Sequence, residues 1–207
     1  MKSLHRSDLY CWSSFDTERN VDFNSYVWVR PDGNVVIDPM PISHHDLAHL
    51  NSLGTVAWIV ITNSDHIRAA TDLANITGAK IAAPFAEKET FTIKCELTSQ
   101  RLLYRTLTEG EELVPGLKVF EMQGSKTPGE LALLLEGTTL ITGDLIRAHQ
   151  AGSLMILPDA KLQNRSLAVD SVKRLAAINT IEAVLVGDGW SVFRDGSNLL
   201  QELASKL

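Results

Sequence analysis

The chain has 207 residues, 44% hydrophobic and 21% charged, the composition of a folded protein with one sizeable core and not of a disordered one. Its 19 basic and 25 acidic residues give a net charge of −6 without blocks of either sign, so nucleic acid is not an expected partner. The longest apolar runs, "VAWIVIT" and "LALLLEG", are far below the about 18 residues that cross a bilayer, which excludes a membrane span.

"MKSLHRSDLYCW" carries no apolar secretory segment, and Cys11 and Cys95 form no CxxC pattern, so neither a disulfide framework nor a thiolate zinc site is indicated. A reduced, cytoplasmic, single-domain protein spanning residues 1–207 is the expectation.

Along the chain, "SYVWVRPDGNVVID" predicts a hairpin, with alternating apolar residues on both sides of the tight-turn tripeptide Pro31-Asp32-Gly33. "PISHHDLAHLNSLG" predicts a helix capped by Ser43, with Asp46 three residues on and Gly54 as its stop. Its apolar stripe is Leu47, Leu50 and Leu53, which puts His44, His45 and His49 on the solvated face. The strand "VAWIVIT" follows, then a helix over "HIRAATDLANITG" ended by Gly78, the short strand "KIAAP" and the brief helix "FAEKE".

Residues 101–122 predict two strands around a Pro-Gly turn, and "ELALLLEGTTLITGD" predicts another hairpin. Residues 163–178 have helical spacing, "EAVLVGDGW" is a buried strand, and "DGSNLLQELASKL" is a closing helix with Ser197 as its cap. Strands interspersed with helices imply helices packed outside β-sheets.

Four apolar strands finish with an aspartate: Asp38, Asp65, Asp144 and Asp188. Brought to one rim, such carboxylates repel and need a cation, a shared proton or a basic side chain. His66 beside Asp65 completes a legitimate divalent-metal donor set. Asp next to Gly is also ordinary turn chemistry, and "NSD" before a helix is ordinary capping, so the residues alone leave both readings open.

Five pieces stand in an order that resembles the metallo-β-lactamase superfamily: "VVIDPM", "VITNSDHIRAA", "QGSKTPGE", "LITGDLI" and "VLVGDGW". The resemblance runs from about Tyr26 to about Trp190. It implies an α+β fold, a four-layer αβ/βα sandwich of two mixed β-sheets with helices on the outer faces. It also implies a site that in the family holds two metals. The family's T-H-x-H-x-D-H loop is here Thr62, Asn63 and Ser64 ahead of Asp65-His66. Its G-H-T-P-G-H histidines fall on Ser125 or Lys126 and on Glu130, and its G-H-G histidine is Asp188.

What the resemblance leaves is at most a mononuclear site of Asp65, His66, Asp144 and Asp188. This oxygen-rich set suits Mn²⁺, Fe²⁺ or Mg²⁺ as well as Zn²⁺. A hydrolase is then expected, with a metal-activated water attacking an ester-, amide- or phosphoester-type bond of a small molecule. Asp65 and His66 would be catalytic, and Asn63, Ser125, Lys126 and His149 would contact the substrate. Trp190 would wall the pocket.

Two other readings compete. In the first, the protein binds no metal and is a non-catalytic binding or scaffold module, with the Lys126 ammonium replacing the ion among Asp65, Asp144 and Asp188. In the second, a metal-free enzyme uses the Asp65-His66 pair or Lys126 for acid–base work; it lacks a nucleophile placed by motif.

Overall fold

The computed structural model describes residues 1–95 and 104–207, and its chain divides into two compact units. One comprises Met1–Ala83 with Glu87–Thr106, the other Pro84–Ala86 with Leu107–Leu207.

The first unit opens with β1 (Lys2–Ser3), β2 (Leu9–Asp16) and β3 (Val21–Trp28), joined antiparallel. Nothing in the turn signals of the first twenty residues announces β1 and β2. β3 then pairs antiparallel with β4 (Asn34–Ile37) across Pro31-Asp32-Gly33, the predicted hairpin. Gly33 has φ +105°, and a Cβ there would lie 2.6 Å from the Ala57 side chain, so the turn requires glycine.

Helix α1 (His44–Ser52) begins where the Ser43 hydroxyl accepts the Asp46 N–H at 3.0 Å, the predicted cap. It buries Leu50, leaves His44 and His45 exposed, and packs the His49 ring edge-on against Tyr10.

The chain continues through β5 (Val56–Val60), α2 (Ala70–Thr77), β6 (Lys80–Pro84), α3 (Lys88–Cys95) and β7 (Tyr104–Leu107). The seven strands lie in the order of the chain, with β4, β5 and β6 parallel to one another. Parallel neighbours joined by helical crossovers end at the same edge of the sheet. The residues after β4 and those after β5 therefore share that edge. Val27, Val36, Ile59 and Ile81 of the sheet pack with Leu50, Leu73, Ala74 and Phe91 of the helices.

The helix expected from His66 starts only at Ala70. Ser64–His66 form a single tight turn capped by Asn63, and Arg68, at φ +44°, breaks the helical direction behind it. Gly78 ends α2 in the left-handed conformation, as its position predicts.

The second unit contains β8 (Leu117–Glu121), β9 (Leu131–Leu135), β10 (Thr139–Thr142), β11 (Ile146–Gln150), β12 (Ser153–Ile156), α4 (Arg165–Ala176), β13 (Ala183–Val186) and α5 (Gly196–Ser205). Its main sheet has the order β13-β10-β9-β8, with β13 parallel to β10 and the other pairs antiparallel. The expected hairpin of "ELALLLEGTTLITGD" is β9–β10. Leu134, Leu140, Val184 and Val186 pack with Val172 and Leu175 of α4 and Leu200 and Leu203 of α5. Since β10 and β13 run parallel, Asp144 and Asp188 follow strands that end at one edge.

Two expectations change in this unit. The two strands predicted within 101–122 are β7 and β8, which enter different sheets instead of pairing; residues 101–103 lie outside the described residues. Ser197 is not the cap of α5, because the helix already includes Gly196. The first N–H groups of α5, on Gly196 and Ser197, donate to the carbonyls of Glu182 and Ile181, so a preceding loop satisfies what a capping side chain would. The stretch after Asp144 forms the antiparallel pair β11–β12.

Candidate functional site

In the first unit the chemistry gathers where β4 and β5 end. Asp38 follows β4 with φ +48°, a conformation that non-glycine residues adopt at a cost of about 1–3 kcal/mol. The surroundings hold it there: its N–H donates to Val60 O, and its carbonyl accepts from the Ser25 hydroxyl at 2.9 Å and from Arg68 Nη1 at 3.2 Å. The consequence is a carboxylate turned onto the β5 loop. Oδ1 accepts the Thr62 N–H at 2.8 Å, and Oδ2 accepts the Thr62 hydroxyl at 2.6 Å. Oδ2 also lies 2.8 Å from Nδ1 of His66, itself only 4% exposed.

Burial pushes the Asp38 carboxyl up. The His66 ring and its hydrogen bond, the Arg68 guanidinium and the Thr62 hydroxyl outweigh that penalty, so its pKa lies below the ordinary carboxylate value. With Nδ1 committed to Asp38, metal ligation or proton transfer by His66 falls to Nε2.

The rest of "TNSDH" serves the backbone. The Asn63 side chain accepts the Asp65 N–H at 2.9 Å, and the Ser64 N–H donates to the buried Glu87 carboxylate at 2.9 Å. Asp65 itself is exposed, unlike its neighbour His66.

In the second unit the loop before β9 is fixed first. Gly124 has φ +77°, and a Cβ there would lie 2.2 Å from Asn164 O, so α4 docks on a position only glycine can occupy. Behind it, the Ser125 hydroxyl donates to Glu130 Oε2 at 2.5 Å, while Glu130 Oε1 accepts the Leu145 N–H at 2.8 Å. Both side chains are fully buried. They brace the turn that carries Asp144.

Asp144 and Asp188 are 4% and 3% exposed, and the Arg147 guanidinium lies between them. Nη2 sits 2.8 Å from Asp144 Oδ1 and 3.1 Å from Asp188 Oδ2, and Nε donates to the Asp144 carbonyl at 3.1 Å. Arg147 is on β11, which runs beside "GDGW": Ala148 N donates to Asp188 O, and Trp190 N donates to Ala148 O at 2.7 Å. Gly189 permits this approach, since at φ +96° its Cβ would meet the Ala148 carbonyl at 2.1 Å.

Lys126 contributes a second, weaker cation, its Nζ 3.9 Å from Asp144 Oδ2 and its side chain 35% exposed. His149, exposed at the end of β11, has its pKa lowered by partial burial and by the Arg147 charge, against an opposing pull from Asp188. Trp190 is exposed.

Two residues of this chemistry stand outside the set read from the sequence. Asp38 is visible as a strand-end carboxylate, but nothing in its spacing points to His66. Arg147 has no motif at all; it stands three residues after Asp144, and the pairing of β11 with the "GDGW" loop brings it to Asp188 as well.

The sequence model of one family, described as "Metallo-beta-lactamase superfamily", matches residues 1–207. No curated protein matches the sequence. Among solved structures, the chain is similar to the DIM-1 metallo-β-lactamase, with TM-score 0.73 and 16% identity over 97% of this chain and 94% of that one. It is similar to an archaeal metallo-β-lactamase superfamily protein from Sulfolobus tokodaii, with TM-score 0.71 and 16% identity over 96% and 85% of the two chains. A third, TTHA1623 in a di-iron-bound form, has TM-score 0.70 and 19% identity over 95% and 100%. These likenesses show the fold, α+β with two mixed sheets and helices, as expected.

Superfamily members bind divalent metals, and His66, Asp144 and Asp188 are buried donors of the kind that hold them. The two-metal centre does not fit this chain. The side chains of Thr62, Asn63, Ser125 and Glu130, which the resemblance sets at family ligand positions, are each engaged in the hydrogen bonds described above. A resident ion shared by Asp144 and Asp188 does not fit either, because the Arg147 guanidinium fills the cation's place between them.

Proposed function

Because the chain belongs to the metallo-β-lactamase superfamily, we propose that it is a member working without a resident metal, in which Arg147 supplies the cation and the protein binds a small-molecule ligand instead of hydrolysing it. The observation that carries this reading is the guanidinium bridging Asp144 and Asp188, at 2.8 and 3.1 Å. Two buried carboxylates require compensation, and a permanently charged, forked donor provides it with directed hydrogen bonds. Lys126, expected to be the substituting cation, takes the lesser part at 3.9 Å. A cytoplasmic location belongs to the same proposal; among the described residues no helix is long and apolar enough to cross a membrane.

One observation favours the second reading, a hydrolase with a single ion. Metal-bound histidines usually donate their other ring nitrogen to a carboxylate, and His66 has that arrangement with Asp38. In that reading a bound ion would activate water, and His66 would be one of its protein donors through Nε2.

Elemental analysis of protein purified without added metal separates the two, run beside ester, lactam and phosphodiester assays with and without Mn²⁺ and Zn²⁺. Metal-free protein without metal-stimulated turnover is expected. One ion per chain, with turnover abolished by Asp144→Ala, would establish the hydrolase instead.

A further inference from the structure

Resting on the metal-independent reading, we infer that Arg147 is the residue that excludes divalent cations, and that Asp144 and Asp188 form a latent cation site which opens when Arg147 is neutralised. Three features of the second unit lead there.

The two carboxylates are held convergent by separate parts of the backbone. Asp144 stands on the turn braced by Glu130 through the Leu145 N–H, and Asp188 stands on the loop fixed against β11 through Gly189. Their convergence does not depend on the Arg147 side chain alone. The place between them already receives a cation: Nη2 donates to Asp144 Oδ1 and lies 3.1 Å from Asp188 Oδ2. That is the demand an oxygen-preferring divalent ion makes of two carboxylates.

Charge then decides occupancy. Two carboxylates face one guanidinium, with the Lys126 ammonium 3.9 Å from Asp144, so the group is already neutralised. A divalent ion entering with Arg147 in place would confront like charge in a desolvated setting. Substitution of the arginine removes this block. Arg147→Met keeps most of the stem and deletes the charge, leaving two carboxylates that need a cation.

The test uses the full chain as wild type, Arg147→Met, Arg147→Lys, and Arg147→Met combined with Asp188→Asn. Mn²⁺ alone is the probe, read by equilibrium dialysis with elemental analysis and by thermal unfolding. Wild type should take up no stoichiometric Mn²⁺ and keep its Tm. Arg147→Met should bind about one ion per chain and gain about 4 °C or more in Tm at saturating Mn²⁺, and the added Asp188→Asn should remove both effects.

If Arg147→Met does not fold, Arg147→Lys decides. Its shorter, unforked ammonium cannot reproduce the Nε and Nη2 contacts together, so its Mn²⁺ response should exceed that of wild type. A folded Arg147→Met with no uptake overturns the inference, as does, where only Arg147→Lys folds, a response equal to wild type. Metal in the wild-type protein as purified would instead overturn the reading on which the inference rests.

Discussion

The two units solve opposite electrostatic problems with the same kind of residue. In the first, one buried carboxylate, Asp38, organises a neutral hydroxyl and an imidazole: it accepts from Thr62 and fixes Nδ1 of His66. In the second, two buried carboxylates are themselves the groups to be held, and Arg147 holds them. The difference lies in the partner: Asp38 orients an imidazole through its Nδ1, whereas Asp144 and Asp188 share the Arg147 guanidinium. The same residue type therefore serves as an orienting acceptor in one unit and as a charge to be compensated in the other.

Substitution has its largest expected effect at Arg147. Arg147→Met leaves two buried charges without their main partner and is expected to cost about 3–5 kcal/mol, measured by urea unfolding at pH 7 without metal. A loss below 1 kcal/mol would mean the guanidinium is not the compensating charge. Next comes Gly189→Ala, which forces φ +96° on a residue with a Cβ and drives that atom into the Ala148 carbonyl. The expected cost is about 2–4 kcal/mol, and crystallography of the variant should show β11 displaced from the "GDGW" loop.

Asp38→Asn sharpens the other side. It removes the charge that pairs with His66 while keeping an acceptor for Thr62, at an expected cost of about 2 kcal/mol at neutral pH. The sign of the pH dependence follows from the lowered Asp38 pKa. The native state holds the ionised form more strongly than the unfolded chain does, so this contribution is full above the ordinary value of 3.8 and lost as pH falls through the lower native value. The gap between wild type and Asp38→Asn should accordingly narrow in acid below about pH 4. A gap that stays constant down to pH 2 would remove Asp38 as the anchoring charge.

Lys126→Met should have the smallest effect, about 0.5 kcal/mol, because the ammonium is partly solvated and 3.9 Å from Asp144. An effect as large as that of Arg147→Met would restore Lys126 as the principal cation.

The elements with strong local signals were legible in the sequence. Pro31-Asp32-Gly33, the Ser43 cap, Gly78 and the β9–β10 hairpin all stand where turn chemistry and periodicity put them. The start of α2 was not, because Arg68 adopts a left-handed conformation that its residue type does not advertise, held by carbonyls of Asn24 and Asp38 far away in the chain. The cap of α5 was missed for a related reason: the acceptors are backbone carbonyls of Ile181 and Glu182, and any residue has one.

The candidate site divides the same way. Its aspartates were visible as strand ends, and the order of five short motifs identified the family. Which cation serves the aspartates depended on a strand, β11, whose pairing with the loop after β13 leaves no mark in the periodicity of either segment. A site completed by such a contact is read from the fold and not from a motif.

The most direct test of the central claim is the divalent-metal content of the full chain, expressed and purified without chelator or added metal. Wild type should hold no stoichiometric Mn, Fe or Zn; one tightly bound ion per chain, lost on Asp188→Asn, would show a resident metal instead.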